Sequence, residues 1–261
     1  MKVRMERICY SYGAKAALTE VTASVPSGSL TGIIGPNGSG KSTLLRILGH
    51  VVRPASGRVL YDGADISSMP PMGRARLIGA VLQDPGAQFA FTVGDVVEMG
   101  RFPYNGLLGR SGRRDTEAVC DAMRMAGVRD LKGRQITALS SGERQRVFIA
   151  RALAQEPKVM LLDEPTSHLD ISYQLEIMEI LKGLASSGTT VIIVMHDLNL
   201  AGLYCDRLIA LKEGRVVSEG LPDDVLTADN ILEIYGVRAV VKNNPETSRP
   251  GIVMLTPSSK P

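Results

Sequence analysis

The chain has 261 residues, 44% hydrophobic and 22% charged, so it can bury a substantial core and has the composition of a globular protein. Its formal net charge of +3 is carried by scattered basic residues. A nucleic-acid-binding protein would concentrate them on one face, so the composition argues against that class.

The cysteines and the apolar runs indicate the compartment. Cys9, Cys120 and Cys205 are too far apart for a disulfide framework or a zinc site, and they favour a reducing compartment. No apolar run approaches the roughly 18 residues that a membrane span needs, and the amino terminus lacks the apolar stretch of a signal peptide. We therefore expect a cytoplasmic protein whose link to a membrane runs through a partner.

Short apolar or alternating runs between turn residues predict strands along the chain. These runs are Val3–Tyr10, Ala17–Val25, Leu30–Ile34, Arg58–Tyr61, Ile78–Leu82, Val159–Leu162, Thr190–Met195, Leu208–Leu211 and Val216–Val217. Helices are predicted after Leu30–Ile34, after Asp170 and over Leu198–Cys205. The helix that Asp170 caps should bury a stripe of Ile171, Leu175, Met178, Leu181 and Ala185.

The middle of the chain has a different character. Residues 86 to about 156 show no strand alternation, and their best helical stretches are Val93–Met99, Thr116–Met125 and Glu143–Ala154. We expect one domain: an α/β core over 1–85 and 157–236, a helical subdomain over 86–156, and an extension over 237–261. The composition of that extension by itself predicts a flexible end. Strands alternating with helices predict an α/β fold with a mainly parallel sheet covered on both faces.

A phosphate-binding loop follows the predicted strand Leu30–Ile34. Its residues fit G-x-x-x-x-G-K-[S/T] between a strand and a helix, and those expected to contact the nucleotide are Gly35, Asn37, Gly38, Ser39, Gly40, Lys41, Ser42 and Thr43. Glycines let backbone N–H groups approach phosphates, and the positive end of the next helix adds to the attraction. Lys41 supplies a cationic donor, and the Ser42 hydroxyl is placed to ligate Mg²⁺. The loop therefore predicts a nucleoside triphosphate site.

Two acids end the apolar strand that begins at Val159. An aspartate at a strand tip, here Asp163, holds the Mg²⁺ shell in P-loop NTPases. Glu164 points to the other side and is a candidate general base that activates water. A strand followed by an acidic loop is the simpler alternative, and the upstream phosphate loop favours the functional interpretation.

Leu139–Glu143 begins a helix. Ser140 and Glu143 satisfy the S-x-x-E capping box, which by itself indicates only a well-capped helix start. The same terminus, with its hydroxyl and its free N–H groups, is also suited to bind an anion.

These motifs together resemble the ATP-binding cassette (ABC) ATPases, whose L-S-G-G-Q signature appears as Leu139–Glu143. Gln83 matches the Q-loop, Ser167–Asp170 the D-loop and His196 the switch histidine. Tyr12 matches the aromatic residue that stacks on adenine, although Tyr10 is close enough to take that place. The resemblance covers essentially the whole chain and implies a RecA-like P-loop NTPase fold with an amino-terminal antiparallel β subdomain.

The resemblance also implies roles for these residues. Lys41 and the loop amides hold the ATP phosphates, and Ser42, Gln83 and Asp163 surround Mg²⁺. Glu164 polarises the attacking water and His196 contacts the γ-phosphate. Without the resemblance, His196 at the end of an apolar strand would be interpreted as a core histidine. The other two histidines, His50 and His168, have no such support for a catalytic role.

In ABC ATPases, ATP lies between the phosphate loop of one chain and the signature of another. One copy of each motif here implies a head-to-tail homodimer with two composite sites, in which Ser140, Gly142 and Asp170 complete the nucleotide contacts. The signature departs from the usual pattern at Ser141 and Glu143. Since Ser140 and Gly142 are kept, we expect an altered rate at most.

Further motifs resemble those of one group of importer ATPases. They are Phe91–Tyr104, Thr166–Ile171, His196–Ala201, Tyr235–Val237 and Asn244–Pro250. The group imports iron chelates (siderophores), haem or cobalamin, and its ATPase sits on the cytoplasmic face of the membrane against integral permease subunits, with an extracytoplasmic substrate-binding protein in the full system. Docking is expected through Gln83 and Ala87–Thr92, where Phe89 and Phe91 contact the permease or else pack in the core.

Two alternatives remain. A cytosolic ABC-type ATPase that serves iron–sulfur cluster assembly with a soluble scaffold shares the motifs, but Gly100–Tyr104 and the carboxyl-terminal extension argue against it. A catalytically silent nucleotide switch would need a changed Glu164 or His196, and both residues are present.

Overall fold

Strands and helices alternate along most of the chain. The computed structural model describes residues 1–82, 91–105 and 112–255, with only the backbone of residue 105. The strands are β1 Val3–Tyr12, β2 Lys15–Val25, β3 Leu30–Ile34, β4 Ser56–Tyr61, β5 Ala64–Asp65, β6 Ile78–Val81, β7 Val159–Asp163, β8 Thr190–Val194, β9 Arg207–Lys212, β10 Arg215–Gly220, β11 Ala239–Asn243 and β12 Pro250–Met254. The α-helices are α1 Lys41–Leu48, α2 Pro71–Leu77, α3 Val93–Glu98, α4 Phe102–Asn105, α5 Arg113–Met125, α6 Ser141–Leu153, α7 Ile171–Ser186, α8 Leu198–Tyr204, α9 Pro222–Val225 and α10 Ala228–Tyr235.

The central sheet has six strands in the order β10-β9-β3-β8-β7-β6, and its neighbours are parallel except in the β9–β10 hairpin. Every residue of β3, β7 and β8 is buried, as expected of parallel strands covered on both faces. Ile33 and Asp163 both pair with Val194, from opposite sides of β8. The carboxyl ends of β3 and β7 therefore meet at one edge of the sheet, and the predicted fold class is confirmed.

A second, antiparallel sheet has the order β2-β1-β4-β5. Its inner face packs on the phosphate-loop helix α1 through a shared apolar cluster that includes Met5, Val25, Val59, Leu44 and Leu48. Burial on one face accounts for the alternation along β1. This packing fixes the helix that carries Lys41 and Ser42.

The described residues between β6 and β7 are mainly helical. Helices α3, α5 and α6 pack together through buried Val97, Met123 and Val147. Helix α5 begins at Arg113, earlier than the periodicity predicts, because the Asp115 carboxylate accepts a hydrogen bond of 2.9 Å from the Gly112 N–H and stabilises the first turn. The division of the chain into subdomains stays a prediction.

Helix α7 differs from its predicted apolar stripe. Ile171 is 74% exposed and Leu175 is also exposed, whereas Met178, Leu181 and Ala185 are buried. The residues of α7 that pack against the core therefore begin at Ile177, further along the helix than predicted. Asp170 stands at the N-cap position, but its side chain makes no capping hydrogen bond. No helix in the described ranges is long and apolar enough to cross a membrane.

The carboxyl-terminal extension is structured as far as residue 255, which corrects the expectation of a flexible end. Strands β11 and β12 form an antiparallel hairpin that packs on α8. The Asn199 side chain accepts a hydrogen bond of 2.7 Å from the Ile252 N–H and donates one of 3.2 Å to its carbonyl oxygen. These long-range bonds order a segment whose composition predicts no structure by itself.

Candidate nucleotide-binding site

The phosphate loop joins β3 to α1 through three glycines in left-handed conformations. Gly35, Gly38 and Gly40 have φ angles of 146°, 77° and 101°. A Cβ at Gly35 would lie 2.1 Å from the Leu211 carbonyl oxygen, and one at Gly40 would lie 2.6 Å from that of Ala17. Conformation and space therefore both require glycine at these two positions.

Lys41 is buried at the start of α1. Its Nζ donates hydrogen bonds to the carbonyl oxygens of Gly35, at 2.9 Å, and Pro36, at 3.0 Å. Burial lowers the pKa of Lys41, and the negative charges of Glu164 and Asp163 oppose that shift. Phosphate oxygens arriving in the loop would replace the two carbonyls and would favour the charged form of the ammonium.

Ser42 and Asp163 come together although they are far apart in sequence. The Ser42 hydroxyl donates to Asp163 Oδ1 at 3.0 Å. Burial raises the pKa of Asp163, the charge of Glu164 raises it further, and the Ser42 hydrogen bond opposes both. A hydroxyl and a buried carboxylate are the hard oxygen donors that Mg²⁺ prefers, and the ion usually takes its remaining ligands from water and phosphates. The residues present therefore fit Mg²⁺.

Glu164 and His196 form a side-chain pair directly after β7 and β8. His196 Nε2 lies 2.6 Å from Glu164 Oε1, and the Ser167 hydroxyl donates to Oε2 at 3.2 Å. The backbone of Glu164 is left-handed, with φ 50°, and this uncommon conformation turns the carboxylate away from the direction that the strand would give it. Both carboxylate oxygens are thus oriented by neighbours.

A cavity of about 280 Å³ lies over the phosphate loop. Its lining consists of Tyr12, Lys15, Ala16, Ala17, Asn37, Gly38, Gly40, Lys41, Ser42, Thr43 and Glu164. Tyr12 is 49% exposed and lines the cavity, whereas the neighbouring Tyr10 packs against the core of the antiparallel sheet. The geometry therefore favours Tyr12 over Tyr10 as the aromatic residue next to a bound base.

The signature residues do not line this cavity. Ser140 caps α6: its hydroxyl accepts the Glu143 N–H at 3.2 Å, and the Glu143 carboxylate accepts the Ser140 N–H at 2.8 Å. A Cβ at Gly142 would lie 2.5 Å from the ring of Tyr173, so glycine is required there. Like Ser140 and Gly142, the exposed Asp170 is absent from the cavity wall. A single chain thus holds the phosphate loop and the signature as separate surfaces.

Comparison with known proteins places this arrangement in a family. Residues 18–167 match the family model described as ABC transporter. This chain belongs to the ABC transporter family. Ferric enterobactin transport ATP-binding protein FepC of Escherichia coli (strain K12) is 42% identical over 255 residues, which cover 97% of this chain and 94% of the relative. The predicted ABC-type ATPase and its binding of ATP are therefore confirmed at the level of the family.

Two solved structures show the same fold. A protein described as a metal-chelate type ABC transporter, in an inward-facing conformation, has a TM-score of 0.85 at 28% identity, covering 97% of each chain. A dimeric ATP-binding cassette in a post-hydrolysis state, bound to ADP and Pi, has a TM-score of 0.74 at 33% identity and covers 84% of this chain and 98% of that one. The P-loop NTPase fold of the ABC family is confirmed.

The sequence did not predict some parts of the site, and one residue that it did predict lies outside the described residues. Gln83, the predicted Q-loop residue and Mg²⁺ ligand, falls in the undescribed segment 83–90. Lys15, Ala16 and Ala17 line the cavity although no motif marks them, because the start of β2 lies against the phosphate loop. Ser167 was predicted only as part of the D-loop, and its hydroxyl orients the Glu164 carboxylate.

The raised pKa of Asp163 predicts how the stability of the nucleotide-free protein depends on pH. Because the pKa in the folded state lies above the unfolded value of about 3.9, the contribution of Asp163 to stability is present below that value. It is lost as pH rises through the raised pKa of the folded state. The Asp163→Asn variant cannot ionise there, so its free energy of unfolding relative to the wild type should increase with pH across this window and then level off.

Urea unfolding at a series of pH values, without nucleotide or Mg²⁺, measures this difference. Asp121→Asn, which removes an exposed carboxylate on α5, is the matched control. A pH-independent difference for Asp163→Asn would show that burial of the charged carboxylate carries no cost.

Gly142→Ala is expected to destabilise the chain by about 1–3 kcal/mol, because the new methyl group overlaps the Tyr173 ring and α6 or α7 must shift. Gly133→Ala is the control, since a Cβ there meets nothing within 4 Å. Thermal unfolding of both variants checks the prediction. A Gly142→Ala variant as stable as Gly133→Ala would contradict the close packing of the signature turn on α7.

Proposed function

We propose that this chain is the ATP-hydrolysing subunit of an importer that carries an iron chelate, haem or a cobalamin-like substrate through an integral membrane permease. All three cargoes are metal chelates. Support comes from the ferric enterobactin relative and from the metal-chelate type structural neighbour. The chain would act at the cytoplasmic face of the membrane, peripheral to it, and the full system would include an extracytoplasmic substrate-binding protein.

The observation that carries this proposal is the separation of two complementary surfaces within one chain. Lys41, Ser42, Asp163 and Glu164 form an orientated half-site, whereas the capped signature turn at Ser140 lies outside its cavity. A two-fold, head-to-tail pairing of identical chains would bring each half-site against a partner's signature. The dimeric cassette among the structural neighbours supports such a pairing.

The chemistry of the half-site follows from its donors. Lys41 and the loop amides would bind the β- and γ-phosphates, and Ser42 and Asp163 would hold Mg²⁺. When bound, Mg²⁺ supplies charge neutralisation on the phosphate oxygens. Glu164, orientated by His196 and Ser167, would accept a proton from the attacking water.

ATP binding would close the dimer and hydrolysis would open it, so binding energy becomes motion of the attached permease. The proposed docking stretch contains Phe91, which is 43% exposed. Phe89, its predicted companion, lies outside the described residues. No observation here favours the iron–sulfur alternative.

Affinity purification of the tagged chain from gently solubilised native membranes tests the importer. Co-purification of a polytopic membrane protein, followed by uptake of a labelled ferric siderophore, haem or cobalamin into vesicles reconstituted with that permease, is the expected result. Lys41→Ala should abolish uptake and leave co-purification intact. Recovery of soluble partners alone, without membrane association, would overturn the importer and favour a scaffold ATPase.

A further inference from the structure

The segment 165–170 connects Glu164 to helix α7 without a helix or strand of its own. It carries a residue that orients the proposed base, because the Ser167 hydroxyl donates to Glu164 Oε2 at 3.2 Å. The Ser167 N–H also donates to the Glu164 carbonyl oxygen, at 3.2 Å. The orientation of the Glu164 carboxylate therefore depends on the conformation of this segment.

The backbone of this segment is strained at one position and lacks a local cap at its end. His168 is left-handed, with φ 61°, which is uncommon for a residue that has a Cβ atom. Asp170 stands at the N-cap of α7, but its side chain makes no capping hydrogen bond. A strained conformation persists only where surrounding contacts determine it. Contacts from outside the segment are therefore needed to hold it.

The side chain of Gln174 supplies such contacts. Its Nε2 donates to the carbonyl oxygen of Thr166 at 3.2 Å and to that of Leu169 at 3.1 Å. Both partners are acceptors, so the amide nitrogen must face them, and it has one hydrogen for each. In the described part of the chain, no other side chain from outside the segment hydrogen-bonds to its backbone. One amide group thus holds the two carbonyls that flank Ser167.

The part of α7 that carries Gln174 is itself held against helix α6. The Tyr173 ring packs on the signature turn, where a Cβ at Gly142 would lie 2.5 Å from it. One turn further along α6, the Arg146 guanidinium lies over the same ring, 5.5 Å from its centre, and pairs with Glu176 at 3.0 Å. These contacts fix the start of α7, so the Gln174 amide is presented from a packed helix.

We propose that Gln174 is a positioning residue for ATP hydrolysis: by holding the segment 165–170, its amide keeps the Ser167 hydroxyl on the Glu164 carboxylate. The inference rests on the proposed role of Glu164 as the base that accepts a proton from the attacking water. A base acts efficiently only when it is held in the productive geometry, so a loosened segment lowers kcat. Gln174 does not line the cavity over the phosphate loop, so its loss leaves the binding of ATP unchanged.

Two substitutions of Gln174 test the proposal in the full chain. Gln174→Leu removes both donors and should lower kcat about tenfold, the effect expected for loss of a neutral hydrogen bond that the transition state requires. The Kd for ATP, measured by equilibrium binding, should stay at the wild-type value. Gln174→Glu has the same length and no N–H donor, so it should lower kcat as well and provides the test if the leucine variant does not fold.

Gln155→Leu is the matched control. The Gln155 amide also donates to a backbone carbonyl, that of Ala75 at 2.6 Å. It lies shortly before the amino end of β7, however, whereas Glu164 follows the carboxyl end of this strand. Gln155→Leu should therefore keep the wild-type kcat.

A double-mutant cycle with Glu164→Gln separates positioning from general loosening of the fold. Because Gln174 acts through Glu164, Gln174→Leu should slow single-turnover hydrolysis of ATP hardly any further once Glu164 is replaced. Wild-type kcat in either folded Gln174 variant would overturn the proposal, and so would equal slowing in both backgrounds or equal slowing by Gln155→Leu. A Glu164→Gln variant with wild-type turnover would instead exclude Glu164 as the base, so the two failures are distinguishable.

Discussion

The Glu164→Gln variant should hydrolyse ATP about 10²–10⁴-fold more slowly than the wild type while still binding the nucleotide. The Glu164 carboxylate is held by His196 at 2.6 Å and by Ser167 at 3.2 Å, so the amide can occupy nearly the same position. An amide cannot accept the proton of the attacking water, and Lys41 and Ser42 remain in place to bind ATP. Steady-state phosphate release and equilibrium binding of ATP measure the two effects separately.

The same variant tests the homodimer. Because hydrolysis is blocked, saturating ATP and Mg²⁺ should convert the chain from monomer to dimer in light scattering after size exclusion. Glu117→Gln, an exposed carboxylate on α5, should keep wild-type turnover. A Glu164→Gln chain that stays monomeric at saturating ATP would contradict the head-to-tail pairing, and one that retains wild-type turnover would exclude Glu164 as the base.

Arg101→Met should lower the free energy of unfolding by about 3–5 kcal/mol, which is the largest effect on stability that we expect from a single substitution. The Arg101 side chain is 1% exposed and donates to Asp115 at 2.8 Å and to Glu156 at 2.8 Å. It also donates to the Ala154 carbonyl oxygen at 2.6 Å and lies 4.0 Å from the centre of the Tyr104 ring. Methionine fills part of the volume but leaves these acceptors without their donor.

Urea unfolding of Arg101→Met and of Arg113→Met makes the comparison. Arg113 pairs with Glu117 at 2.9 Å, but its side chain is 94% exposed, so its loss should cost within about 0.5 kcal/mol. Equal stabilities for the two variants would show that the buried guanidinium contributes nothing beyond packing. The helical region should loosen first in Arg101→Met, which hydrogen exchange of α5 and of the end of α6 would detect.

The sequence alone determined the chemistry of the phosphate site. The loop between Gly35 and Thr43 depends on covalent spacing and on glycine φ angles, which are local properties and can be recognised without a fold. The alternation of strands and helices predicted the parallel sheet, because strands buried on both faces appear as continuous apolar runs. The pairing of Ser42 with Asp163 then follows, since the ends of parallel strands meet at one edge.

The sequence alone did not predict the features of the structure that depend on long-range contacts. In the sequence, Gly100–Tyr104 provided only evidence of a family resemblance. In the fold, Arg101 of this stretch lies in a buried network of hydrogen bonds between helices. The carboxyl-terminal extension has the composition of a flexible end, yet Asn199 orders it through two hydrogen bonds to Ile252. Partners that lie 14 to 55 residues apart leave no periodic signal in the sequence.

At the nucleotide site, too, the sequence alone could not determine which of Tyr10 and Tyr12 lies next to the base. Residues two apart on a strand point to the same face, and the two rings lie edge to face at 4.9 Å, so neither motif nor periodicity separates them. The tertiary structure favours Tyr12, because the end of β1 places this residue at the cavity over the phosphate loop and leaves Tyr10 against the antiparallel sheet. A local pattern determines which groups the chain carries, whereas the distance between segments remote in sequence depends on how the two sheets pack around α1.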